Sequence, residues 1–116
     1  MSEIVQREHE LNEMILAGQA LEAFERFYDQ EVVMQENDLP PRVGKEANRV
    51  FEQQFFAAIK EFHGATLGEV AVTGDVSFSE WTFDVTFQDG NRVATPQVAR
   101  RQWKDGRVVN ERFYHA

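Results

Sequence analysis

Two Asp-Gly pairs, Asp89-Gly90 and Asp105-Gly106, punctuate the second half of this chain, each between runs rich in β-branched and aromatic residues. Asp-Gly supplies the positive φ values that tight hairpin turns require, so residues 76–115 read as an antiparallel meander. The runs 81–87 and 108–114 have the composition of pleated strands. Everything before residue 63 reads as helix, apart from one short strand. A helical first half followed by a curved antiparallel sheet predicts an α+β shell in which helices close over one sheet face and leave a cavity.

The first helix is expected from residue 2 or 3 to 17, with Ile4, Leu11 and Ile15 on one stripe and Gly18 as its stop. A second, over 19–29, sets Ala20, Phe24, Phe27 and Tyr28 on one apolar face. A short strand over 31–36 leads into a loop ended by Pro40 and Pro41. From Gly44 to about Phe62, the positions Ala47, Val50, Phe51, Phe55, Ala58, Ile59 and Phe62 repeat at helical spacing and predict the longest amphipathic helix, the lid of the core. Gly64 then supplies a left-handed cap, and a strand over 66–73 opens the meander.

The 116 residues make one domain, 1–116, large enough to bury a core without a disulfide or metal. With no cysteine, thiol nucleophiles, thiolate metal sites and disulfides are excluded. The net charge of −8 lies mostly on the helical half, which opposes nucleic-acid binding by phosphate repulsion. No apolar run has membrane-spanning length, and the first residues lack the order of a signal peptide, so a cytoplasmic protein without a membrane partner is expected. His9, His63 and His115 stand apart with no metal-ligand spacing, and His63 fits a helix C-terminus. Glycine-rich phosphate loops and serine nucleophile elbows are missing, so no cofactor is expected.

Alternation sorts the strand residues into faces. Trp81, Phe83, Val85 and Phe87 share one face, with Thr82, Asp84 and Thr86 on the other. In the last strand Val109, Glu111 and Phe113 alternate with Val108, Asn110, Arg112 and Tyr114; the register across Asp105-Gly106 stays open by one residue, because a two-residue turn and a bulged turn give opposite partners. Carboxylates in a pocket act as general bases, or as acids once desolvation raises their pKa, so Asp84, Glu111 and Glu36 are the residues to follow. Asp84 is disfavoured in a strand and needs an offset, either a pocket role or a cross-strand arginine such as Arg100, Arg101 or Arg112. A cavity is expected between the third helix and the sheet. Its apolar walls come from Phe27, Phe51, Phe55, Trp81 and Trp103, and its polar groups from Tyr28, Glu36, Asp84, Gln97, Arg101 and Glu111.

The element order, together with Phe27-Tyr28-Asp29, Gly44, Asp84-Val85-Thr86-Phe87, Trp103-Lys104-Asp105-Gly106-Arg107-Val108-Val109 and Glu111-Arg112-Phe113-Tyr114, resembles the SnoaL-like domains of the nuclear-transport-factor-2-like superfamily. The resemblance implies a cone of three N-terminal helices on a strongly curved, mostly antiparallel sheet with a central pocket, and a homodimer through the open sheet face. It implies binding of a small apolar or amphipathic molecule, with isomerase, cyclase or hydrolase activity from a pocket carboxylate, Asp84 or Glu111. Its alternative is a noncatalytic dimerisation or interaction module. The chain departs from the family's steroid isomerases, which carry a tyrosine in the first helix and paired aspartates in the cavity. It also lacks the spacing of the epoxide hydrolases' Asp-Arg-Asp arrangement, although Asp84, Arg101 and Glu111 supply related residue types.

Overall fold

A computed structural model describes residues 3–116. The chain runs α1 (Glu3–Leu16), α2 (Ala20–Phe27), β1 (Tyr28–Glu36), β2 (Arg42–Val43), α3 (Lys45–Ala57), β3 (Ile59–Thr73), β4 (Val76–Phe87), β5 (Arg92–Lys104) and β6 (Arg107–His115). The possible start of α1 at residue 2 lies outside the described residues. Six strands form one open sheet in the order β2-β1-β6-β5-β4-β3, antiparallel throughout except where β1 lies parallel to β6. Three helices on this mixed sheet make the expected α+β architecture.

The turns follow their chemistry. Asp105 and Gly106 both take positive φ, 51° and 77°, as a two-residue turn between paired Lys104 and Arg107. Gly90 turns the β4–β5 hairpin with φ 91°. Gly44, at φ 95°, precedes α3, and its amide donates to the Val32 carbonyl at 2.8 Å.

Three expectations are corrected. First, α3 ends at Ala57 rather than near Phe62, because Ile59 already pairs with Phe87 and Gln88 N donates to Ala58 O at 2.8 Å. Ladder bonds over a fifteen-residue strand outweigh the helical repeat, and Gly64 marks a register shift inside β3 instead of a cap. His63 therefore sits on β3, where its Nε2 meets Thr86 Oγ1 at 2.7 Å. Second, α3 is not a well-covered lid: Phe51 and Phe55 stay 37% and 40% exposed, while Lys45 and Asn48 are the buried residues. Third, β6 does not alternate cleanly. Trp103 pairs with Val108 but Gln102 pairs with Asn110, so Val109 is extra and both Val108 and Glu111 turn inward.

The packed core lies at one end, where Leu11, Phe24, Phe27, Val32, Met34, Trp103 and Val108 fill the space between α1, α2 and strands β1, β5 and β6. Phe27 meets the Trp103 ring edge-on at 6.2 Å. Each such fully buried apolar side chain contributes about 1.5–3 kcal/mol. Towards α3 this packing thins, and a cavity opens.

Candidate active site

The inner sheet face is set by register. Ser77 lies beside Arg101 and Arg101 beside Glu111, Ser79 beside Ala99 and Ala99 beside Phe113, Trp81 beside Gln97. Over this floor close α1, α2 and α3, leaving a cavity of about 270 Å³. Its walls include Leu11, Ile15, Phe24, Phe51, Phe55, Phe56, Trp81, Phe83 and Phe113. Its polar groups are Tyr28, Glu36, Glu52, Gln97, Arg101 and Glu111.

A buried hydrogen-bonded chain anchors the inner end. Arg101, 1% exposed, donates from Nε to Glu111 Oε2 at 2.6 Å and from Nη1 to Glu8 Oε2 at 3.0 Å and Asn12 Oδ1 at 2.9 Å. Glu8, fully buried on α1, also accepts from Ser77 Oγ at 2.8 Å and from the Ser79 hydroxyl. Trp103 Nε1 donates to Ser77 Oγ at 2.9 Å, and Asn12 Nδ2 to Ser79 Oγ at 2.8 Å. Tyr28 donates its hydroxyl to Glu111 Oε2. Two carboxylates thus hold one guanidinium between them, the arrangement that offsets the desolvation of a buried charge. Burial works against the Arg101 charge, but Tyr28, Glu8 and Glu111 outweigh it and raise its pKa. Burial and the Glu111 charge raise the Tyr28 pKa well above its ordinary value, so it stays a neutral donor.

Both bonds to Glu111 go to Oε2; among the described residues Oε1 makes none. Glu52, half-buried on α3, has no hydrogen-bond or ion-pair partner among them and lines the same cavity. Desolvation, then repulsion from Glu111, pushes its carboxyl up to about 8, against the pull of Arg42. Glu36 is also raised, first by burial, although His115 Nε2 lies 3.2 Å from its Oε1. Glu111, held by a cation and a phenol, thus lines the same cavity as Glu52, whose carboxyl burial pushes up to about 8.

Of the residues singled out from sequence, Tyr28, Glu36, Phe51, Phe55, Trp81, Gln97, Arg101 and Glu111 meet around the cavity. Phe27 and Trp103 lie in the adjoining core. Asp84 lies on the opposite sheet face, bound bidentately by Arg92 at 3.0 and 2.8 Å, which lowers its pKa. Arg92, not Arg100, Arg101 or Arg112, is its partner. Sequence reasoning passed over Glu8, Asn12, Ser77, Ser79 and Glu52. Glu8 completes the stripe Ile4, Leu11, Ile15, and Glu52 shares a helical face with Asn48, Phe55 and Phe56, so a carboxylate on an apolar stripe was the available signal.

Three helices over one face of an open six-stranded sheet, with a buried carboxylate–guanidinium pair beside the cavity, make this an α+β cavity domain. The SnoaL-like domain model matches residues 9–111, and the chain belongs to that family. Among solved structures it is similar to a protein from Mesorhizobium loti provisionally described as a SnoaL-like polyketide cyclase, at 28% identity over 98% of this chain and 99% of that one, with a TM-score of 0.84. A Bacillus subtilis protein provisionally described as an isomerase matches at 18% identity over 100% and 90% of the two chains, TM-score 0.80. An LEH-like epoxide hydrolase from M. tuberculosis matches at 13% identity over 98% and 83%, TM-score 0.78. The last two likenesses are of fold. No curated protein matches the sequence significantly.

Proposed function

We propose that this protein binds a small, largely apolar, oxygen-bearing molecule and moves a proton on it, in a reaction of isomerase, cyclase or hydrolase type. The observation that carries the reading is the open cavity between Glu111, whose Oε1 has no partner, and Glu52, whose carboxyl keeps its proton to about pH 8. Glu111 Oε1 takes a proton from a carbon next to a carbonyl, or from a water. Glu52 gives its proton to the substrate oxygen where negative charge develops. Arg101 and Tyr28 fix Glu111 and leave one oxygen for the work. Asp84, on the other sheet face, takes no part. The descriptions of the structural neighbours as cyclase, isomerase and epoxide hydrolase are of the same chemical type.

The test uses two probes, 2-tetralone for exchange of its α-protons in deuterated water and styrene oxide for ring opening. The wild type accelerates at least one, and Glu111→Gln lowers that rate by roughly 100-fold or more. Rates equal to buffer for both, with no shift of cavity resonances in the protein's NMR spectrum, favour the other reading, a noncatalytic module. That reading draws on the outer sheet face, where Tyr114, opposite Val98, stands 42% exposed and a homodimer is proposed to form. Sedimentation that gives a monomer at micromolar concentration removes the dimer.

A further inference from the structure

We infer that the free edge of the sheet beneath α1 takes a short extended peptide as an added strand beside β3, one with apolar side chains at alternating positions and a basic side chain among them. This site is separate from the cavity that holds Glu111 and Glu52.

The inference starts from the strand order. β3 is the last strand of the sheet, with β4 along one side and no strand along the other. Such an edge offers a row of backbone N–H and C=O groups, and proteins blunt it with lysine, proline or a bulge. A bulge is present at Gly68 and Glu69, between Leu67 opposite Trp81 and Val70 opposite Ser79. Beyond it residues 70–73 pair without a break with residues 76–79, and they include neither proline nor lysine. That stretch of edge is left open.

A groove runs beside it. Leu67, Val70 and Val72 pair with Trp81, Ser79 and Ser77, which lie on the inner sheet face, and residues opposite each other in a ladder point the same way. The helix α1 lies over that side, and the residues it turns towards β3 are Val5, His9, Asn12 and Glu13, a stripe apart from Ile4, Leu11 and Ile15. Together these seven residues line a groove of about 470 Å³, a size that holds ligands. Val5 and Val70 are 38% and 44% exposed, so the groove is open to solvent.

A strand laid along β3 satisfies the edge with its own amides and sends every second side chain into this groove. Val5, Leu67, Val70 and Val72 form a wall for apolar side chains. Glu13 supplies the charge: among the described residues its carboxylate has one ion-pair contact, His9 Nε2 at 3.8 Å. A cation from the peptide completes it. A second copy of this chain is a poorer occupant, since each copy carries a net charge of −8 and its residues 66–73 hold an acid, Glu69, and no base. A small molecule without amides leaves the strand edge unused.

The test titrates the 15N-labelled full chain with the peptide acetyl-TVTKTVT-amide and follows the amide resonances. Shifts are expected at residues 70–73 and at Val5, His9 and Glu13, with a dissociation constant of about a millimolar or less. Exchanging the peptide's lysine for glutamate should weaken binding about tenfold, and N-methylation along the peptide's centre should abolish it. Val70→Lys, at an exposed position, should keep the urea midpoint and lose the peptide. Glu13→Gln should still bind, with the lysine and glutamate peptides brought to within about threefold of each other. No shifts at several millimolar peptide overturn the proposal, as does equal binding of the N-methylated peptide. A dimer that sedimentation finds without peptide, and that Val70→Lys separates into monomers, gives the edge to a second copy and overturns it too.

Discussion

Replacing Glu52 with glutamine keeps the side-chain volume and removes a proton-binding group whose pKa moves from 4.5 when the chain is unfolded to about 8 in the cavity. Between those values the folded protein holds one proton more than the unfolded chain, so unfolding free energy falls as pH rises. The stabilising contribution is complete below pH 4.5 and gone once the pH passes about 8. Each pH unit inside the window is worth about 1.4 kcal/mol at most. Over the whole window that is roughly 5 kcal/mol, and water at the half-open mouth of the cavity reduces it to about half. Urea denaturation of wild type and Glu52→Gln at pH 5, 6, 7, 8 and 9 reads this directly. The variant's stability relative to wild type should climb from pH 5 to 8 and then level off. The raised pKa of Glu36 is common to both proteins and cancels. A difference that stays flat from pH 5 to 8 would refute the placement of an uncompensated carboxyl in the cavity, and with it the assignment of Glu52 as the acid.

Three further outcomes follow from the same geometry. Glu8→Ala leaves Arg101 with one carboxylate and strips two serine hydroxyls of their acceptor, which should cost about 3 kcal/mol or more in urea unfolding, as expected when a buried pair is broken. Tyr28→Phe removes one donor from Glu111 and should cost about 1–2 kcal/mol, with the 13C resonance of the Glu111 carboxyl shifted. Asp84→Asn breaks an exposed pair with Arg92 and should leave the urea midpoint where it is.

Much of this architecture was legible in the chain because turns and strands have local chemistry. Asp89-Gly90, Asp105-Gly106 and Gly44 each sit where a positive φ is needed. The boundary between α3 and β3 was not, since Ile59 and Phe62 satisfy a helical repeat and a β-strand equally well, and pairing with β4 decides between them. Most of the cavity residues could be named because alternation on β4 and β5 is regular. Glu8 and Glu52 could not, because periodicity arguments assign stripes to apolar residues, and a carboxylate within a stripe becomes informative only once its neighbours are known. Asp84 illustrates the converse. A charge in a strand looked anomalous, and a single arginine across the hairpin accounts for it.

The extra residue in β6 has a consequence for how such a site changes over time. Had the ladder run evenly from Lys104 and Arg107, Arg101 would face Asn110, and Glu111 would point away from the helices. The interval from Trp103 to Glu111 thus works as a ruler whose length, more than its lettering, selects the side chain presented to the cavity. Gain or loss of one residue there exchanges an acid for an amide or a cation in a single event while the turn, the core and the remaining strands keep their places. A scaffold that can renew its reactive group by counting, without rebuilding its walls, is well suited to hosting different chemistries in one shape.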